Sequence, residues 1–319
     1  MFLDSDAKFY LMENFAMKRF CILYNPLAGD GKGEKAALKI YQKIQPKIEH
    51  PIEMVDMTRL EDYTEFFQNK KDVGIIVCGG DGTLNWFINK TSEIDFTNKI
   101  YYCAIGTGND FLRDIGIKEK TMPVEISSYI KNLPICEING KKYRFINGVG
   151  YGIDGYCCEI RDEMKRKTKK KVNYSLIALK GLMYGYKRKN ATVTVDGVVY
   201  QFENVWIAPV MNGRYYGGGI MAAPEQNRDS EEKTLSLTIL RTKSKFSALI
   251  YFPTLYKGKH TKLKDISTIL TGKVITVEFD EPASLQIDGE THLNVSKYTA
   301  YTSDMAHLFQ EENEEVLEK

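Results

Sequence analysis

The chain lacks a charge excess: 44 Lys and Arg stand against 42 Asp and Glu, a net +2 at pH 7. No global field therefore marks it as a nucleic-acid binder. Its six cysteines (Cys21, Cys78, Cys103, Cys136, Cys157, Cys158) contain no C-x-x-C pair. Buried thiols in a reducing cytosol fit that scatter better than disulfides or a zinc site. The four histidines (His50, His260, His292, His307) stand far apart and offer no ligand cluster. Long apolar runs are missing too. The longest uncharged one, "FSALIYFPTLY" from Phe246 to Tyr256, is far short of the ~20 residues that cross a bilayer. The N-terminus carries Asp4, Asp6 and Glu13 and no basic start before an apolar block, so it does not read as a signal peptide. That leaves contact with a membrane surface open. There is no internal repeat, no low-complexity linker, no G-x-x-x-x-G-K-[ST] loop and no well-placed G-x-G-x-x-G fingerprint.

Two grammars follow each other along the 319 residues, a length that accommodates two domains. From Arg19 to about Leu133, short apolar runs ("RFCILYN", "EMVDM", "VGIIVC", "IYYCAIG") alternate with amphipathic stretches ("KGEKAALKIYQKIQPKI", "RLEDYTEFFQN", "TLNWFIN"). That spacing predicts a parallel sheet with helices on its faces. After Pro134 the period changes to two: "ATVTVDGVVYQFENVWIAPVMN" alternates around an Asp196-Gly197 turn, and "TLSLTIL", "VITVEF" and "SLQIDGE" are further short strands. One helical island, "NYSLIALKGLMYGYK", interrupts them. The expected fold is a Rossmann-like α/β N-terminal domain (18–134) and a β-rich antiparallel sandwich or barrel (135–300). A tail (301–319) is expected to pack back on the N-terminal domain, its acidic last turn "EENEEVLEK" frayed.

Three expected strand ends carry glycine loops: "NPLAGDGKG" (Asn25–Gly33), "GGDGTLN" (Gly79–Asn85) and "GTGNDFLR" (Gly106–Arg113). Ligands of open parallel sheets bind beyond such ends. Bare glycine lets amide groups face a phosphate, and a following helix adds its positive end. A single loop of this kind is as well explained by a tight turn; three in succession point to a polyphosphate.

These loops resemble the diacylglycerol kinase catalytic family, the bacterial lipid kinases related to sphingosine and ceramide kinases. The family's N-P-x-x-G is Asn25, Pro26 and Gly29; its G-G-D-G-T is Gly79, Gly80, Asp81, Gly82 and Thr83, with Asn85 beyond. Its G-T-x-N-D-F-x-R is Gly106, Thr107, Asn109, Asp110, Phe111 and Arg113, and its late D-G-E is Asp288-Gly289-Glu290. The resemblance, over about residues 19–290, implies an active site in the interdomain cleft. It implies nucleotide contacts from the three loops and from Thr58, and ATP and Mg²⁺ as cofactors. It makes Glu290 the proton acceptor, with Asp288 beside it and Asp81 organising Mg²⁺ or the acceptor hydroxyl. Two neighbouring carboxylates also raise each other's proton affinity, and residues i and i+2 share a face of a regular strand. After the family's G-G-G…A-P segment, here Gly217–Leu237, relatives hold a structural Mg²⁺ with an Asp-Gly-x-Leu that is missing at this place. Glu232 falls nearest that position, with Asp229 upstream.

The function expected from the sequence is transfer of the γ-phosphate of ATP to a lipid hydroxyl, diacylglycerol or a relative. An NAD kinase-like enzyme and a non-catalytic nucleotide- or lipid-binding protein stand as alternatives. Expected partners are ATP, the lipid and a peripheral membrane surface, with no nucleic acid and with a homodimer left open. The location expected is cytoplasmic, at the inner face of the membrane. The stretch Arg161–Asn190, rich in Lys and Arg and including Lys169, Lys170 and Lys171, is a candidate for docking on anionic headgroups.

Overall fold

The structure, a computed structural model, describes residues 19–105, 108–117, 122–167, 177–178, 180–242 and 244–309. It divides into two compact units. One holds residues up to Asn109 and Ile117–Lys131; the other holds Asp110–Gly116 and residues from Asn132 onward.

The first unit is a five-stranded sheet: β1 (Phe20–Tyr24), β2 (Glu53–Asp56), β3 (Gly74–Gly79), β4 (Ile100–Ala104) and β5 (Val124–Glu125). Their order is β2-β1-β3-β4-β5; the first four run parallel and β5 antiparallel. The central strand β3 is buried at every residue. A parallel strand covered on both faces has that need, and it explains why "GIIVC" is continuously apolar. Helices α1 (Ala28–Gly31), α2 (Gly33–Ile44), α3 (Tyr63–Gln68) and α4 (Asp81–Lys90) fill the connections. Asp62 caps α3 by accepting the Glu65 N–H at 2.9 Å. Leu84, Phe87 and Ile88 turn the apolar side of α4 inward.

The second unit opens with the short helix α5 (Asp110–Asp114), then β6 (Ile135–Ile138), β7 (Lys141–Arg144), β8 (Gly148–Tyr151) and helix α6 (Ile153–Lys167). Strands β9 (Lys189–Val195), β10 (Val198–Ile207), β11 (Val210–Met211), β12 (Tyr215–Tyr216), β13 (Ile220–Met221) and β14 (Leu235–Arg241) follow. Helix α7 (Lys245–Leu255) precedes β15 (Ser267–Gly272), β16 (Val274–Ile287) and β17 (Glu290–Tyr301). Strands β8, β11, β14, β10 and β9 join antiparallel, and β16 pairs with both β8 and β9, closing the ring. Closure leaves those strands no free edge. In β9, Ala191, Val193 and Val195 point inward between more exposed neighbours and meet Tyr151, Leu237, Val277 and Leu285 in the core. The Asp196-Gly197 turn has both φ positive, 46° and 86°, the conformation that joins two twisted strands tightly.

Two expectations about the second unit are corrected. "VITVEF" and "SLQI" belong to one strand, β16, whose register shifts between Glu278 and Ala283, around Pro282. The helical island is not the only helix: α6 and α7 are helices too. Of the island itself, Gly181–Gly185 forms a π-turn, while 173–176 and 179 lie outside the described residues. Of the tail, Ser303–Phe309 is a 3-10 turn whose Phe309 ring stacks on Tyr301 at 4.1 Å, and 310–319 lie outside the described residues.

Candidate active site

In the first unit the three strand ends are tied to one another. Asn25 follows β1; its Oδ1 accepts the Leu27 N–H at 2.9 Å and its Nδ2 donates to Thr83 Oγ1 at 3.3 Å. Gly29 and Gly31 have φ of 61° and 81°, a left-handed path that favours glycine. After β2, Thr58 donates through Oγ1 to Asp56 at 2.6 Å and stays exposed. After β3, the Gly79 carbonyl accepts from the Ile105 N–H at 2.7 Å and the Tyr102 hydroxyl at 3.0 Å. Thr83 and Asn85 are buried, and Asn85 Oδ1 accepts the Asn89 amide at 3.3 Å. Gly106 and Thr107 of the third loop lie outside the described residues.

The two adjacent glycines of Gly-Gly-Asp-Gly-Thr do different jobs. A Cβ on Gly79 would stand 2.3 Å from the Thr83 Cβ, so this glycine lets α4 fold back against its own strand. A Cβ on Gly80 would meet only the Ile105 carbonyl at 3.6 Å, and Gly80 is extended at φ −88°, ψ −178°. Sterically, any residue fits there. Gly80 is also the N-cap of α4, with no side-chain cap, so backbone amides meet the space in front of it. Asp81 opens the helix half-buried, and its charge joins burial in raising the Tyr102 hydroxyl far above its usual range. Gly79→Ala is expected to cost about 1–3 kcal/mol by overpacking. Gly80→Ala is expected to leave the melting temperature within about 1 °C of the wild type. Thermal melts of the two variants check both.

Asn109, the last residue of the first unit before α5, is in the left-handed region at φ 50°. In the second unit, α5 brings two carboxylates into ion pairs. Asp110 is buried; its Oδ2 accepts the Gly218 N–H at 2.6 Å and its Oδ1 meets Arg113 at 3.3 Å. Four residues on, buried Asp114 accepts Arg214 Nε at 2.8 Å and also pairs with Arg228. Arg228 donates to the Ile146 carbonyl at 3.0 Å and covers the Phe111 ring. Sequence reading missed this network because an Arg and an Asp 114 positions apart carry no local pattern.

The same segment holds Asp288. Its carboxylate accepts the N–H groups of Ile146 at 2.6 Å, Asn147 at 2.9 Å and Gly148 at 3.0 Å. Asp288 and Gly289 have φ of 45° and 97°, and Ile287 pairs with Glu290 across them. They are a hairpin turn between β16 and β17, not regular strand, so the shared-face expectation for 288 and 290 does not hold. From the other side, α6 fastens the turn: Arg161 donates to the Gly289 carbonyl at 2.9 Å and Thr291 to Asp162 at 2.7 Å. Glu290 stays solvent-accessible, and partial desolvation raises its carboxyl above the usual glutamate range. The cause is desolvation, not the neighbouring Asp288 charge that the sequence suggested.

Another carboxyl escaped sequence reading. Asp154, in the first turn of α6, is pushed up to about 6 by burial, beside Tyr216, in space that the absent side chain of Gly150 leaves. Asp229 and Glu232 lie on the surface of the loop before β14. Both are exposed, and their backbone N–H groups donate to Asn227 and Ser230 in local turns. Among the described residues no three His, Cys, Asp or Glu come together to hold an ion. Glu232 instead lines a polar cavity of about 580 Å³ with Gln226, Lys264, Ser267 and Thr271. No helix among the described residues is long and apolar enough to cross a membrane.

The chain is similar to a Mycobacterium tuberculosis (strain H37Rv) diacylglycerol kinase, 25% identical over 265 residues, covering 80% of this chain and 84% of that one. It is 26% identical to a Bacillus subtilis (strain 168) diacylglycerol kinase over 285 residues, 86% of this chain and 90% of the other. The crystal structure of a diacylglycerol kinase from Bacillus anthracis str. Sterne shares the fold, with a TM-score of 0.60 at 22% identity over 90% of this chain and 96% of that one. Residues 147–302 match the model of the YegS C-terminal NAD kinase beta sandwich-like domain. Residues 19–135 match that of the diacylglycerol kinase catalytic domain, so the chain joins a diacylglycerol kinase catalytic domain to a YegS-like C-terminal domain.

Proposed function

We propose that the protein transfers the γ-phosphoryl group of MgATP to the hydroxyl of a lipid, with diacylglycerol or a similar amphiphile as acceptor. The observation that carries this reading is the division of labour in the Asp288-Gly289-Glu290 turn. Asp288 is consumed by three backbone amides, while Glu290 is left accessible with a raised proton affinity. A carboxylate so held is suited to take a proton.

In this reading the amides around Gly80 and the loop Asn25–Gly33 receive the triphosphate, with Thr58, Gly106, Thr107, Asn109 and Asp110 completing the nucleotide contacts. Asn25, Thr83 and Asn85 keep these loops in place through the bonds described above. Asp81 would hold the Mg²⁺ that accompanies the nucleotide, and the ion would supply charge neutralisation for the phosphate oxygens. The lipid oxygen forms the new bond to the γ-phosphorus, the bond from that phosphorus to the β–γ bridging oxygen breaks, ADP leaves, and the hydroxyl proton passes to Glu290. Asp288 acts by holding the turn.

An NAD kinase would place a dinucleotide where this reading places an acyl chain. The Asn25-Pro26 and Asn109-Asp110-Phe111-x-Arg113 runs favour the lipid branch. Incubation with γ-labelled ATP and separate acceptors decides between them. Label is expected in chloroform-extractable product from diacylglycerol and none in NAD; label in NAD alone overturns the proposal.

A further inference from the structure

Helix α7 is apolar on every side, yet only Ala248 and Leu255 of its eleven residues are buried. A helix with no polar face is normally enclosed by protein or lipid. Ala248 and Leu255 seat it on a cluster with Leu182, Trp206 and Leu240. Lys245 adds a bond to the Met183 carbonyl at 3.3 Å. The opposite side is bare: Phe246 is 70% and Ile250 56% exposed, and Pro253 is exposed as well. Positions 246, 250 and 253 follow helical i, i+4, i+7 spacing, so they form one stripe. Tyr256, 41% exposed, lies at its end.

Charge completes the pattern. Exposed Lys245 stands at one end of the stripe and exposed Lys257, Lys259 and Lys262 at the other. No Asp or Glu stands between Arg241 and Asp265. An apolar stripe between lysines, with no carboxylate, complements an anionic interface: the rings and aliphatic groups enter the acyl boundary and the ammonium groups meet the headgroups. A second copy of this chain fits worse, since it would set lysine against lysine.

We propose that the stripe Phe246, Ile250 and Pro253, ringed by Lys245, Lys257, Lys259 and Lys262, is the surface by which this unit docks on an anionic lipid bilayer. The proposal rests on the lipid-kinase reading, which requires an acceptor resident in a membrane. It also differs from the sequence-derived candidate Lys169–Lys171, which lies outside the described residues.

The test is sedimentation of the full chain with sucrose-loaded vesicles of phosphatidylcholine containing phosphatidylglycerol. Wild type is expected to bind these and to release with added salt. Phe246→Ser with Ile250→Ser, and separately Lys245→Glu with Lys257→Glu, are each expected to weaken partitioning at least about tenfold. Transfer to a short-chain, monomerically dispersed diacylglycerol is expected to stay within about twofold in both, showing that the fold is intact. Wild-type sedimentation by both double variants overturns the docking surface. A wild-type dimer that becomes monomeric in Phe246→Ser with Ile250→Ser assigns the stripe to a second copy and overturns it too. Sedimentation reads no chemistry, so vesicle binding without any phosphoryl transfer overturns the kinase reading and leaves the surface standing.

Discussion

Glu290→Gln is expected to lower the rate of phosphoryl transfer by about 10²–10⁴-fold, the usual contribution of a positioned general base. MgATP binding and the melting temperature are expected to stay at wild-type values, because Glu290 is exposed and outside the buried network. The pH profile gives the sign. A base acts deprotonated, and desolvation raises the Glu290 carboxyl above its ordinary value. The wild-type kcat/KM should therefore fall on the acid side with a midpoint above the usual glutamate range of about 4.3. Glutamine removes that limb along with the rate. Full activity in Glu290→Gln, with the acid limb unchanged, would take the base assignment away.

Asp288→Ala has the opposite signature: stability falls as well as rate. Three N–H groups, of Ile146, Asn147 and Gly148, lose one shared buried acceptor. Stranding buried polar groups around a lost charge costs about 3–5 kcal/mol. Alanine is also strained at the positive φ of this position. Calorimetric or chemical unfolding should show a loss of this size in Asp288→Ala and a smaller one in Asp288→Asn, which keeps an acceptor oxygen and tolerates left-handed backbone. Equal stability of Asp288→Ala and the wild type would mean the turn is held by Arg161 and Thr291 alone.

What the sequence disclosed was periodic or local. Alternation in "ATVTV" and the Asp196-Gly197 pair specify β9, its turn and β10 because both signals act between near neighbours. The continuous run "GIIVC" before two glycines likewise marked a buried strand and its loop. Helix α7 was hidden by its own composition: with apolar residues on all sides and Pro253 inside, it has no helical period to detect. The apolar positions Ile153 and Cys157 of α6 are spaced for a helix but sit next to a glycine-rich strand that obscures its start. Ring closure through β16 and the Asp114–Arg228 pair depend on contacts between distant segments, which no window of sequence contains. At the site, motif spacing located Gly79 and Gly80 but could not assign their separate roles, since only packing distinguishes the one facing Thr83 from the one facing open space.

The central claim is that the open backbone at Gly80 receives the triphosphate whose terminal group is passed to a lipid hydroxyl. Calorimetric titration of MgATP into the wild type and into Gly80→Ala tests it most directly. One nucleotide site is expected in the wild type, weakened at least about tenfold in Gly80→Ala at an unchanged melting temperature, as a Cβ intrudes on the phosphate and costs about 1.4 kcal/mol or more. Equal affinity in the two proteins, or no nucleotide binding by the wild type, would contradict it.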